Sequence, residues 1–126
     1  MRRAARSGGL AGLAAVLLVC AGCDAAAVRP DPVAGADTGR GRRAIERVGC
    51  GACHVIPGVA WPRGRVGPSL DGFASQSLIA GRFPNTPEML ARWVRDAPAL
   101  APGTGMPTMP LTEEEARDIA AYLHAF

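Results

Sequence analysis

Apolar positions recur with the period of an α-helix in three stretches of this chain, and nowhere do they alternate as in a β-strand. From Gly41 to Val48, Ala44, Ile45 and Val48 fall on one side and charged residues on the other, which predicts a short amphipathic helix running into Cys50. Thr86-Pro87-Glu88 has the form of an N-cap followed by proline at the first helical position, and it opens a second helix over Met89 to Arg95. Thr112-Glu113-Glu114-Glu115 is a capping box with acidic residues at the positive end of the helix dipole. The helix it opens carries Ala116, Ile119, Ala120 and Leu123 as one apolar stripe bordered by Tyr122. The segments between, Ile56 to Phe73 and Pro98 to Pro110, are rich in Gly and Pro and read as loops. The expected fold class is all-α, with three main helices and long loops.

The N-terminus lies outside this pattern. Arg2, Arg3 and Arg6 precede an apolar run from Leu10 to Val19, the layout of an export signal. That run falls short of the roughly 20 apolar residues a membrane span needs. Cys20-Ala21-Gly22-Cys23 follows, and the small residues before Cys23 resemble a bacterial lipobox, in which the cysteine is lipidated and becomes the first mature residue. Cys20 stands where leucine is usual. Asp24 next to the lipidated position resembles the signal that keeps bacterial lipoproteins on the inner membrane. The organisation read from this is a signal peptide over 1–22, a lipid anchor at Cys23 with a flexible tether over 23–38, and a domain over 39–126. A cleaved signal releasing a soluble periplasmic protein and an uncleaved N-terminal anchor are the alternatives.

Charge excludes one class of partner. The formal net charge is +3, but removal of Met1–Gly22 takes away Arg2, Arg3 and Arg6 and leaves eleven arginines against eleven Asp and Glu. A formally neutral mature chain has no electrostatic case for binding nucleic acid. The basic residues are all arginine. A domain of this size is too small to build a generous hydrophobic core from its own side chains.

The chemistry lies in Cys50-Gly51-Ala52-Cys53-His54, a C-x-x-C-H pentapeptide. Two thiols about one turn apart can each add across one of two vinyl groups on a haem edge, and the histidine after the second thiol is carried under the ring to ligate iron. A bare C-x-x-C is also the form of a redox dithiol, which expects a βαβ setting that this chain lacks. A zinc site needs four well-spaced ligands, and these cannot be assembled when the only other cysteines are Cys20 and Cys23 and the only other histidine is His124 at the chain end. Cys20-Ala21-Gly22-Cys23 repeats the spacing but is followed by Asp24, so it is not a second haem site. A large apolar cofactor, covalently attached, would supply the core that the chain is too short to provide.

Four pieces in order carry a wider resemblance: Gly41 with Ile45, Cys50 to His54, Gly67-Pro68-Ser69-Leu70, and Gly103-Thr104-Gly105-Met106-Pro107 before the last helix. From Gly41 to Tyr122 the chain resembles the class I cytochromes c, small monohaem electron-transfer proteins, particularly bacterial ones associated with respiratory oxidases. The resemblance implies loops wrapped around one covalently bound haem c, joined to Cys50 and Cys53, with His54 as proximal iron ligand. It implies that the second nitrogen of His54 bonds to the carbonyl of Pro68, fixing the tautomer and raising ligand basicity.

For the sixth ligand there are two methionines, each followed by proline. Met106 sits in the family's G-T-x-M-P context, six residues before the Thr112 cap, whereas Met109 is three residues closer and would need a tighter loop. Met106 is the preferred ligand, and Met109 is then a packing or surface residue. A Met/His pair raises the reduction potential. Met89 is expected in the core. Trp93 is expected either to line the haem pocket or simply to pack. Ile45 and Tyr122 are expected to meet where the first and last helices cross, with Gly41 allowing close approach. Arg63, Arg65 and Arg82 face either haem propionates, a partner or solvent. His124 is expected to be a solvated residue interacting with the helix dipole.

The function implied is that of a carrier of single electrons rather than an enzyme. It would be tethered to the periplasmic face of the inner membrane and pass electrons from a donor complex to a terminal oxidase. No small-molecule substrate is expected. The alternative is a fixed haem subunit of a larger dehydrogenase or oxidase complex. A haem sensor would need an open sixth position.

Overall fold

The computed structural model describes residues 33–126, so the readings made for the signal segment, Cys20 and Cys23 lie outside the described residues. Four α-helices form, three of them along the stretches that the apolar period marks. Helix α1 spans Thr38–Val48 and starts before Gly41 because Asp37 caps it: the Asp37 carboxylate accepts from the Arg40 backbone N–H at 2.6 Å. A polar first turn carries no apolar period, which is why the pattern placed the start later. Helix α2 spans Pro87–Arg95, with the Thr86 hydroxyl accepting from Met89 N at 3.2 Å. Asp96 ends α2 and caps α3, a single turn over Ala97–Leu100 that overlaps the start of the segment read as a loop.

Helix α4, Glu113–His124, has both bonds of the capping box: Glu115 N to Thr112 Oγ1 at 3.2 Å and Thr112 N to a Glu115 carboxylate oxygen at 2.9 Å. Two strands, β1 (Leu78–Ile79) and β2 (Phe83–Pro84), pair antiparallel with Leu78 opposite Pro84 and Ile79 opposite Phe83. Two residues per strand are too few to make an alternation that a sequence reading can detect.

The core forms where α4 packs between α1 and α2. The stripe of Ala116, Ile119, Ala120 and Leu123 is buried throughout, beside Ile45 of α1 and Leu90 of α2. Gly41 lets α1 touch α4, since a Cβ there would fall on the backbone carbonyl of Asp118. Thus the close approach is to the backbone of α4 at Asp118 and Ile119, one turn before Tyr122.

Asp118, only 1% exposed, is the polar group in that contact. It accepts from Arg40 Nε at 2.7 Å, from the second Arg40 nitrogen at 3.0 Å and from the Asp37 backbone N–H at 2.7 Å. A carboxylate out of water is costly, and these three donors are what make the position tenable. They fix the first turn of α1 to the middle of α4.

His124 departs from its expected place in solvent. Nε2 lies 2.9 Å from Asn85 Oδ1, and the ring packs 6.2 Å from that of Phe73. Asn85 spends both amide hydrogens on the carbonyls of Phe73 and Gln76, so its oxygen is left to accept from Nε2–H. Nδ1 is then a buried acceptor with no partner among the described residues. The last turn of α4 is covered by the 73–85 segment, and sequence spacing does not reveal such a long-range cover.

Candidate functional site

Gly49, with φ 79°, ends α1 in the left-handed conformation, and its N–H returns to Ile45 O at 3.2 Å. The chain then winds into one 3₁₀ turn over Cys50–Ala52, with Cys53 N and His54 N both bonded to Cys50 O, at 3.2 and 3.0 Å. This turn brings both thiols and the imidazole to one side of a cavity of about 280 Å3. Cys50 is half-buried and Cys53 exposed. Burial pushes the Cys50 thiol up from its ordinary pKa.

The rest of the wall comes from every helix of the main packing: Ile45 from α1, Leu90 and Trp93 from α2, Ile119 and Leu123 from α4. Met106 and Met109 both line the same cavity. The loop that carries them is clipped to the end of α2, with Met109 N bonded to Arg95 O at 2.9 Å and the Thr108 hydroxyl to an Asp96 carboxylate oxygen at 2.8 Å. Trp93 is buried, lines the cavity and packs 5.8 Å from Phe83. Met89 is partly buried against the core, outside the cavity wall.

His54 Nδ1 lies 2.7 Å from Pro68 O. The ring has room because residue 67 is glycine; a Cβ there would overlap the imidazole at Cε1. Arg63, Arg65 and Arg82 are not part of the cavity wall. Ile56, Phe73 and Leu111 are. These three were not singled out in the sequence, since isolated apolar residues in loops carry no period.

The chemistry of this wall fits a large apolar ring bearing a metal. It is almost wholly aliphatic, aromatic and sulfur-containing, with one imidazole as its nitrogen donor. Imidazole and thioether are ligands that suit haem iron. Among the described residues no three acidic, histidine or cysteine groups come together as a metal-ion cluster. A larger hollow of about 540 Å3 lies between α2, α3 and α4, but charged groups such as Glu88, Arg92 and Glu113 rim it and none of the pentapeptide reaches it. Size alone is a poor guide here, and the smaller cavity holds the chemistry.

Comparison with known proteins agrees. A family model described as cytochrome c matches residues 39–126. The chain is also 33% identical over 87 residues to the cytochrome c oxidase subunit 2 of Alkalihalophilus pseudofirmus, an alignment covering 68% of this chain and 25% of that protein. The chain therefore spans about a quarter of that relative's length. With the family match running from the first turn of α1 through Phe126, the chain belongs to the cytochrome c family and is a c-type cytochrome, a carrier of covalently bound haem c.

Proposed function

We propose that the protein carries single electrons in a periplasmic respiratory chain and delivers them to a terminal oxidase. The observation that carries this reading is the meeting of Cys50, Cys53, His54 and Met106 around one apolar cavity. Cys50 and Cys53 would hold haem c through thioether bonds, and His54 and Met106 would be the ligands of its iron. Haem c supplies one-electron chemistry, its iron passing between ferrous and ferric states. The chain's own part is to orient and exclude. The Pro68 carbonyl holds the proton of His54 at Nδ1 and so presents Nε2 to the metal. The aliphatic wall would limit water around the ring, and the Met106 thioether, if bound to the iron, would leave no room for an outside ligand.

The domain over 39–126 is the redox unit, with 1–22 as signal peptide and Cys23 as lipid anchor on the periplasmic side of the inner membrane. The 23–38 tether would raise the local concentration of the domain at the membrane without any added contact. Mass spectrometry of the mature N-terminus tests the anchor: a diacylated Cys23 supports it, and an unmodified soluble form refutes it.

One observation favours a second reading. The relative is a cytochrome c oxidase subunit 2 of which this chain spans a quarter, so the domain also suits a fixed haem subunit of a larger oxidase complex. Co-purification with a catalytic subunit in fixed stoichiometry separates the two. A redox titration of the purified haem-loaded protein tests the shared claim. It should follow a one-electron curve, and the reduced protein should resist carbon monoxide. Ready binding of carbon monoxide would instead mark a haem sensor or ligand binder.

A further inference from the structure

Helices α2 and α4 have a second face. Leu90, Trp93 and Val94 turn from α2 toward the cavity of the pentapeptide, whereas Ala91, Arg92 and Arg95 line the hollow of about 540 Å3 between α2, α3 and α4. The floor of that hollow is apolar, made by Ala91, Leu100 and Ala116. Three charged groups on its rim, Glu88, Arg92 and Arg117, are exposed and form no ion pair among the described residues. An apolar floor under unpaired charges of both signs suits a segment that is itself apolar and carries one charge of each sign.

The chain delivers such a segment to this place. Val33, the first described residue, already lines the hollow. It is held there by a turn in which Ala36 N donates to Val33 O at 3.1 Å, with Gly35 left-handed at φ 78°. Asp37 N then donates to Asp118 Oδ1 at 2.7 Å, which fastens the turn to α4. The residues before Val33 read Val28-Arg29-Pro30-Asp31-Pro32. Two prolines favour an extended polyproline path, and five residues at about 3.1 Å each cover about 15 Å. That is close to the length of α2 at about 1.5 Å per residue.

We propose that residues 28–32 lie in this hollow as an intramolecular strap that clamps α2 to α4. Val28 and the two prolines cover the apolar floor, Asp31 meets Arg92 and Arg117, and Arg29 meets Glu88. Because Val33 is already seated, the strap competes with any outside occupant at the high effective concentration of a covalently joined segment. The strap also sets the side from which the N-terminal segment leaves the domain. The hollow shares no residue with the pentapeptide cavity, and α2 turns opposite faces to the two. Whatever is fixed to the N-terminus therefore holds the domain by its back and leaves the side with the exposed Cys53 open. The strap goes beyond the electron-carrying reading and does not depend on it.

The test is NMR spectroscopy of the full-length, haem-loaded, reduced protein in detergent micelles. The Val28 methyls should give nuclear Overhauser effects to Ala91 and Leu100. The backbone amides of Arg29 and Asp31 should have order parameters of about 0.85, those of a rigid domain. Arg29→Glu/Asp31→Arg reverses both charges of the strap and should drop these values below about 0.6. Reversing the rim as well, with Glu88→Arg, Arg92→Glu and Arg117→Glu, should restore them. Wild-type order parameters below about 0.6, a charge-reversed strap as rigid as wild type, or a reversed rim that restores nothing overturn the proposal. In a mixture of labelled and unlabelled protein, Overhauser effects between molecules would give the hollow to a second copy and overturn it too. A protein with a normal one-electron titration and a loose 28–32 segment loses only the strap, whereas an ordered strap without a redox transition sinks only the electron-carrier reading.

Discussion

Nδ1 of His54 sits 2.7 Å from the carbonyl oxygen of Pro68. A carbonyl only accepts, so Nδ1 holds the proton and Nε2 keeps its lone pair free. The ring is held in this pose by the missing side chain at Gly67, where a Cβ would collide with it. Gly67→Ala is therefore expected to displace the imidazole while leaving both thiols in place. Attached haem, measured by the pyridine haemochrome, should persist in part, and the spectrum should lose its low-spin, six-coordinate form. A variant with wild-type spectrum would show that the ring has more freedom than this geometry allows.

Two methionines share the cavity wall, and their substitution separates them. Met106→Ala is expected to abolish the methionine–iron charge-transfer band and to open the reduced protein to carbon monoxide. Met109→Ala should keep the band and cost only packing, about 2 kcal/mol or less for a half-buried side chain. If the band instead disappears only with Met109→Ala, the ligand assignment is reversed.

The unpartnered Nδ1 of His124 makes stability depend on pH. Burial lowers the pKa of this ring below its ordinary 6.5, with Glu88 opposing the shift in part. The unfolded chain thus takes up the proton more readily than the folded one. The contribution is present in full above about pH 6.5 and is lost as pH falls below it. Denaturation midpoints of wild type and His124→Gln between pH 7.5 and 5 should converge as the pH drops. Parallel curves would show that His124 titrates alike in both states.

Tyr122 holds the 57–67 segment from behind, its hydroxyl donating to Pro57 O at 2.5 Å. Tyr122→Phe keeps the ring and removes that bond, at an expected cost of about 1 kcal/mol. Chemical denaturation should show the loss, with the midpoint potential unaltered. A shifted potential would mean that the hydroxyl acts on the cavity rather than on the segment alone.

How far the sequence revealed all this depended on the range of each interaction. Thr86 and Thr112 cap within three residues of themselves, so both helix starts could be read from local spacing. The pentapeptide is local in the same way. Asp37 was overlooked because its cap precedes a polar turn, and α3 because a single turn has no period. His124 was misplaced because Asn85, its partner, lies 39 positions away. Counting residues makes Met109 a packing or surface residue, whereas its place in the cavity wall depends on the bond from its N–H to the Arg95 carbonyl across the turn. Val33 carried no signal at all: what a lone valine in a segment without an apolar period packs against depends on where the rest of the chain goes.

The contact of Gly41 with the backbone at Asp118 has a consequence in time. Helix α1 and the thiols that follow it lie far from α4 along the chain, yet α4 supplies Ile119 and Leu123 to the cavity wall. A contact between distant segments also pays its loop-closure entropy before it returns any stabilisation. Closure of the cavity by α4 is therefore expected to come late in folding. Before α4 docks, the cavity beside Cys50 and Cys53 would lack the wall that Ile119 and Leu123 supply, and a bulky ring would reach both thiols without anything having to unfold.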